Sequence, residues 1–123
     1  MNRILRTAPF TRWMKDNDVD DASLEAAVQE MGTGLIDASL GGHLYKKRVA
    51  LHGRGKRGGA RTIVATRYEG TWFFLFGFRK NERSSITDRE TKALQQLAKS
   101  LLGLSESELE AAIKAGDIQE VTP

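Results

Sequence analysis

The sequence predicts an α+β fold: two N-terminal helices, a small antiparallel β-sheet of about three or four strands, and C-terminal helices. Three observations predict it. An amphipathic helical stretch lies before residue 34, three strand-like stretches lie between residues 43 and 78, and two capped amphipathic stretches follow residue 86. The length of 123 residues fits a single domain over residues 1–123, which is large enough to bury a core.

Two helices are predicted near the N-terminus. FTRWMKDN predicts a short helix, and DASLEAAVQEM predicts a longer one because its apolar residues recur at helical spacing. Asp20 or Asp21 can cap the longer helix, and Gly32 or Gly34 can end it. The apolar face of this helix consists of Leu24, Ala27, Val28 and Met31. Ahead of both helices, RILRT is compatible with a short edge strand.

The middle of the chain predicts the sheet. HLYKKRVAL, ARTIVATRY and TWFFLFGF are rich in β-branched and aromatic residues and are separated by the turns HGRGKRGG and EG. Because side chains alternate along a strand, the first stretch has two faces. One face carries Leu44, Lys46, Arg48 and Ala50, and the other carries Tyr45, Lys47, Val49 and Leu51. In the last stretch the same alternation places Trp72, Phe74, Phe76 and Phe78 opposite Phe73 and Leu75.

The C-terminal third predicts two helices with clear start signals. TDRE at 87–90 and SESE at 105–108 both match the capping box, in which the first and fourth residues satisfy each other's backbone N–H. The first helix is expected to end at Gly103 and the second at Gly116. The apolar stripe of the first consists of Leu94, Leu97, Ala98 and Leu101. These signals predict a helical extension over 88–116, attached to a core of about residues 20–90.

Composition excludes several classes of function. The chain has no cysteine and only two histidines, so neither a disulfide nor a cysteine-containing zinc site is available, and no cofactor is expected. No run of about 18 apolar residues is present, as a membrane-spanning helix requires. The N-terminus also lacks an apolar stretch of signal-peptide length. These features predict a cytoplasmic protein that does not bind a membrane.

Charge is segregated along the chain. Residues 1–40 hold four basic and seven acidic side chains, residues 41–83 hold eleven basic and two acidic, and residues 84–123 hold four basic and seven acidic. The central segment therefore carries a net charge of +9 between two segments of −3. Such a segment attracts polyanions, and RNA or DNA is the leading class of partner.

Two basic clusters lie within the central segment. KKRVALHGRGKRGGAR, residues 46–61, holds seven basic residues and four glycines, and FRKNERSS, residues 78–85, follows the last predicted strand. Each alone is compatible with a solvated loop, in the second case with Lys80 or Arg79 paired to Glu82. Together they predict one anion-binding site, because the planar fork of arginine matches phosphate oxygens.

The candidates for RNA or ribosome contact are other cations of these clusters and two neighbouring aromatic residues. They are Lys47, Arg54, Lys56, Arg57, Arg79, Tyr45 and Phe78. An aromatic ring beside cations can stack on a base, whereas the remaining aromatic residues of the strand at 71–78 are expected in the core.

These clusters resemble the RelE/HigB group of bacterial type II toxins. The patterns K-x-R-V-A, G-x-G-K-x-G-G-x-R and F-x-K-N-E-R carry the resemblance, which covers most of residues 20–90. It implies a RelE-like, microbial-ribonuclease-like fold and a ribosome-dependent mRNA endoribonuclease that inhibits translation through metal-independent attack by the 2′-hydroxyl. The catalytic cations implied are Lys46, Arg48, Arg61, Lys80 and Arg83. The implied partners are the ribosome, mRNA and a separate antitoxin of the helix-turn-helix (Xre) type.

The chain departs from the best-known RelE-type members at two positions. Asn81 stands where they have a catalytic arginine, and Thr87 stands near the place of a tyrosine that exchanges a proton. Thr87 is instead expected to cap a helix. His43 and His52, which flank the first strand, are the candidate acid and base. Three hypotheses follow: an mRNA-cleaving toxin, a non-catalytic RNA- or DNA-binding module, and a degenerate interaction protein of the same fold.

Overall fold

The computed structural model of the chain describes residues 2–51 and 55–121, with side chains of the second range described from residue 59 onward. Within these residues it contains six strands and four helices, which confirms the predicted α+β class. In chain order they are β1 (Arg3–Thr7), α1 (Ala8–Asp16), α2 (Asp21–Gly32), β2 (Ala38–Gly41), β3 (Leu44–Leu51), β4 (Gly55–Thr66), β5 (Thr71–Arg79), α3 (Asp88–Leu102), α4 (Glu106–Ala115) and β6 (Ile118–Glu120).

The strands form one mixed sheet in the order β2-β3-β4-β5-β1-β6. All neighbouring pairs are antiparallel except β1 and β5, which are parallel. The sheet is therefore larger than the expected three or four antiparallel strands. RILRT is also not an edge strand, because β6 from the C-terminal end pairs with its outer side.

Helices cover both faces of the sheet. Helices α1 and α2 pack on one face over a core that includes Phe10, Leu24 and Phe74, and α3 and α4 pack on the other over a core that includes Leu94 and Leu109. We call these the α1–α2 face and the α3–α4 face. None of the helices in the described part of the chain is long and apolar enough to cross a membrane.

The helix ends follow the predicted signals. The Asp20 carboxylate accepts a hydrogen bond from the Ser23 backbone N–H at 2.9 Å, and Thr87 and Ser105 each form a complete capping box. Helix α3 ends at Gly103, and α4 ends at Gly116, whose φ of 85° is left-handed.

A bulge in β5 changes which aromatic side chains share a face. Ile63 pairs with Phe76, but the next residue, Val64, pairs with Phe74, so Leu75 has no partner across the strand pair. Phe76 and Phe78 therefore lie on the α3–α4 face with Phe73 and Leu75, and only Trp72 and Phe74 belong to the opposite core. The predicted alternation is wrong beyond Phe74 for this reason.

One arginine ties the first strand to the end of the chain. Arg3 of β1 donates hydrogen bonds to Glu106 at 2.7 Å and to Glu110 at 2.6 Å, both on α4, and to Glu120 of β6 at 2.7 Å. These hydrogen bonds to carboxylates, chiefly that to Glu120, raise the pKa of Arg3 above its ordinary value. Arg3 thus holds α4 and β6 against β1.

Candidate active site

Two arginines face each other across β3 and β4. Arg48 and Arg61 are directly paired in the antiparallel register, which places their Cβ atoms about 4.5–5.5 Å apart. Both side chains leave from the α3–α4 face, since the neighbouring residues Val49 and Ala60 are buried in the opposite core. Like charges placed directly opposite destabilise a sheet. Within the described part of the chain, neither arginine forms an ion pair with a carboxylate.

Lys46 extends this arrangement along β3. It lies two residues before Arg48 and is paired with Ile63, so its side chain leaves from the same face. Leu44 on that face is fully buried in the core beneath α3 and α4. Lys46 therefore stands between the apolar core and the arginine pair.

Arg83 adds a cation from the loop after β5. Phe78 pairs with Arg61 in the sheet, and the guanidinium carbon of Arg83 lies 5.7 Å from the centre of the Phe78 ring and 5.8 Å from that of Phe76. The fourth cation thus stands over the strand next to Arg61. We call Lys46, Arg48, Arg61 and Arg83 the cationic cluster.

Contacts on three sides fix Arg83. Its Nε donates to the Ser85 carbonyl at 3.0 Å, its Nη1 donates to Glu90 Oε2 at 3.1 Å, and its Nη2 donates to the other Glu90 oxygen. The Arg83 guanidinium, together with the Thr87 backbone N–H, lowers the pKa of Glu90 to about 2. Glu90 in turn raises the pKa of Arg83 above its ordinary value. The alternative of a solvated loop pairs Glu82 with Lys80 or Arg79, whereas the observed ion pair joins Arg83 of this loop to Glu90 of α3.

Lys80 and Arg79 leave the end of β5 in a different direction. Arg79 pairs with Ala60, which is buried in the core of the α1–α2 face, so Arg79 projects from that face. Lys80 is exposed and lines a shallow depression with Gly59, Arg79 and Asn81. The structure therefore groups Lys80 with Arg79 and not with the cationic cluster.

The structure places three of the predicted RNA contacts in the core or packed against it. Lys47 is only 3% exposed and its Nζ lies 2.8 Å from Glu30 of α2, so it belongs to the buried side of the sheet. Tyr45 is on that same face, edge-to-face with Tyr68 at 5.3 Å between ring centres. Phe78 is 3% exposed beneath Arg83, which leaves no ring surface for a base.

His43 lies apart from the arginine pair of the cluster. His43 lies in the turn between β2 and β3, where its carbonyl accepts a hydrogen bond from the Thr66 backbone N–H at 3.0 Å. It precedes Arg48 by five residues, which is roughly 17 Å along a strand, too far for it to act as acid or base there. His52 and Arg54 lie outside the described residues, as do the side chains of Lys56 and Arg57.

The structure shows where the two residues that depart from the RelE pattern, Asn81 and Thr87, lie. Thr87 is the N-cap of α3, and its hydroxyl accepts a hydrogen bond from the Glu90 backbone N–H at 3.1 Å, as predicted. Asn81 is exposed in the turn after β5.

The sequence predicts Glu90 only as part of a capping box. A carboxylate has two oxygens and about four acceptor sites, so it can cap a helix and bind an arginine together.

The protein has an α+β fold with a cationic cluster on one face of its sheet, and no carboxylate of the described residues pairs with Arg48 or Arg61. These features are typical of the class of basic proteins that bind polyanions. The family comparison specifies it further: residues 2–121 match the family described as "RelE toxin of RelE / RelB toxin-antitoxin system". The chain belongs to the RelE toxin family and is a toxin of a toxin–antitoxin system, with an antitoxin as its partner. No curated protein sequence matches it.

Proposed function

We propose that this toxin inhibits translation by cleaving messenger RNA on the ribosome. The ribose 2′-oxygen attacks the adjacent phosphorus while the bond from phosphorus to the 5′-oxygen breaks. The 2′-hydroxyl gives its proton to a base, and the leaving 5′-oxygen takes one from an acid. The products are a 2′,3′-cyclic phosphate and a 5′-hydroxyl end. In this scheme cations of the protein, and not a metal ion, stabilise the charge that develops on the phosphoryl oxygens.

The observation that supports the proposal is the Arg48–Arg61 pair. Two arginines that are directly paired in the register, with no carboxylate partner among the described residues, place like charges on one face of the sheet, and an anion bound between them relieves the repulsion. A phosphodiester supplies that anion, and its two non-bridging oxygens match the arginine fork. Negative charge on the phosphoryl oxygens increases in the transition state. The attraction of the two arginines for these oxygens therefore also increases, which lowers the free energy of the transition state relative to the bound substrate.

The four cations take different parts in this reaction. Arg61 lies centrally, between Arg48 on one neighbouring strand and Arg83 above the other, and is assigned to the oxygens of the scissile phosphate. Arg48 and Arg83 bind the same phosphate from either side. Lys46 holds the RNA backbone next to this phosphate. Lys80, which lies outside the cationic cluster at the end of β5, is assigned a further contact with the RNA backbone.

The partner proposals rest on the resemblance to HigB-type toxins. They are the ribosome with its bound mRNA, and an antitoxin that is a separate helix-turn-helix protein of the Xre type. Because the reaction takes place on translating ribosomes, the protein acts in the cytoplasm.

Mapping the ends of cleaved messages tests the mechanism. Purified toxin is added to ribosomes carrying a defined mRNA, and new ends are located by primer extension. We expect 5′-hydroxyl ends that accept phosphate from a kinase, and no cleavage when the nucleotide before the scissile bond is 2′-deoxy. Ends that carry a 5′-phosphate would contradict attack by the 2′-hydroxyl.

The second candidate function is RNA binding without cleavage. Asn81 and the helix-capping role of Thr87 favour it, because neither position supplies the arginine or the tyrosine of the best-known members. Ribosome binding and growth arrest without new mRNA ends would establish this function in place of the first.

A further inference from the structure

Glu90 makes two kinds of contact at once. Its Oε1 accepts a hydrogen bond from the Thr87 backbone N–H at 2.8 Å, which completes the capping box of α3. Both of its oxygens accept from the guanidinium of Arg83. One carboxylate therefore joins the start of a rigid helix to a cation of the cluster.

Arg83 needs such a partner to remain where it is. The N-terminus of α3 carries the positive end of the helix dipole, and Arg48 and Arg61 add like charge on the adjoining strands. All of these repel a guanidinium. The bidentate carboxylate of Glu90 offsets that repulsion and also fixes the plane of the group above Phe76 and Phe78.

We infer that Glu90 is a positioning residue for RNA cleavage: it holds the Arg83 guanidinium beside Arg61, where both can bind the same phosphate. Glu90 acts only through Arg83 and has no contact with the reacting atoms. The inference rests on the proposed endoribonuclease function and deepens it. Misplacement of a catalytic group by about 1 Å can cost roughly 10²-fold in rate, so an anchor of this kind has a measurable effect.

The chain provides a matched control in α4. Glu108 completes a second capping box by accepting from the Ser105 backbone N–H at 2.8 Å. In the described part of the chain no arginine or lysine forms an ion pair with it. Glutamine also serves in a capping box, so Glu90→Gln and Glu108→Gln both preserve the cap. Only the first removes the charge that Arg83 contacts.

The test measures two quantities for each variant. One is the cleavage rate at saturating mRNA-loaded ribosomes, and the other is the Kd for ribosomes whose mRNA is 2′-deoxy at the scissile position. We expect Glu90→Gln to lower the rate about 10-fold with Kd within about 2-fold, and Glu108→Gln to match the parent in both. Arg83→Ala should lower the rate by roughly 10²-fold. Glu90→Gln added to Arg83→Ala should cause no further loss, because the two residues act as one unit.

Other results would contradict either the positioning role of Glu90 or the proposed endoribonuclease function, and the two cases can be distinguished. An active parent with an unimpaired Glu90→Gln variant would overturn the positioning role and leave the proposed function intact. Full additivity of Glu90→Gln and Arg83→Ala would also overturn it, because Glu90 would then act independently of Arg83. A parent that produces no mRNA ends would remove the proposed function and the positioning role together. Urea unfolding of every variant ensures that rates are compared between folded proteins.

Discussion

At the residue scale, Arg61 separates catalysis from binding. Arg61→Ala should lower the cleavage rate by roughly 10²-fold or more, the cost of losing one preorganised donor to a developing oxyanion, while ribosome affinity falls only slightly because other cations remain. Arg61→Lys should restore part of the rate, since a point charge lacks the fork. Arg12→Ala removes an exposed cation from α1 on the opposite face and serves as control. Equal losses of rate and affinity would instead make Arg61 a docking residue.

Adjacent lysines on opposite faces give a second test at this scale. Lys47→Ala removes one partner of a buried ion pair with Glu30, and should lower the free energy of unfolding by about 2 kcal/mol or more with little change in RNA affinity among folded molecules. Lys46→Ala should weaken RNA binding and leave the free energy of unfolding nearly unchanged. Urea denaturation and RNA-binding titrations distinguish the two effects. Similar behaviour of both variants would show that the sheet faces are assigned wrongly.

The sequence predicts the placement of a single residue best where that placement depends on its near neighbours in the chain. Strand alternation correctly placed Lys46 and Arg48 side by side. It could not show that Lys47 is paired with Glu30, because that contact joins residues 17 positions apart through the packing of α2 on β3. The ion pair of Arg83 with Glu90 was missed although the two residues are seven positions apart, since the capping box already gave Glu90 a role.

At the scale of elements, β5 and α1 fit together at a single glycine. A Cβ added at Gly77 would lie 2.4 Å from the Trp13 ring, so Gly77→Ala forces the helix away from the strand. We expect a loss of about 1–3 kcal/mol or more in the free energy of unfolding. Gly32 is the matched control: at the end of α2 nothing lies within 4 Å of an added Cβ, and alanine there should be neutral or stabilising by up to about 1 kcal/mol. Chemical denaturation of both variants measures the two changes in the free energy of unfolding. Equal stabilities of the two variants would contradict the close packing of Gly77 against Trp13.

Elements with strong local signals were predicted well. The capping boxes at Thr87 and Ser105 and the glycines after α3 and α4 fix those helices within the sequence itself. The interior position of β1 and the existence of β6 had no such signal, because they depend on pairing between opposite ends of the chain. The bulge at Leu75 was missed for the same reason, since it is defined by the register against β4.

At the scale of the whole molecule, the charge distribution predicts salt-dependent binding. The three arginines of the cationic cluster share one phosphate and Lys46 contacts another, so these two phosphates should give a slope of roughly −1.4 or steeper when the logarithm of RNA affinity is plotted against the logarithm of salt concentration. Lys46→Ala should make the slope shallower by about 0.7–1, and Arg12→Ala should leave it unchanged. Fluorescence anisotropy with a 2′-deoxy-substituted RNA provides the measurement. Affinity that is insensitive to salt would show that phosphate contacts do not dominate binding.

The position of β1 between β5 and β6 affects the order in which the sheet can form. This strand precedes both of the strands that flank it, β5 at Thr71–Arg79 and β6 at Ile118–Glu120, and its Arg3 also binds two glutamates of α4. During synthesis β1 can pair with β5 only after β5 has been made, and its other side stays unpaired until β6 follows. Contacts between such distant residues slow folding. We therefore expect closure of the sheet on both sides of β1 to be a late step in the folding of this toxin.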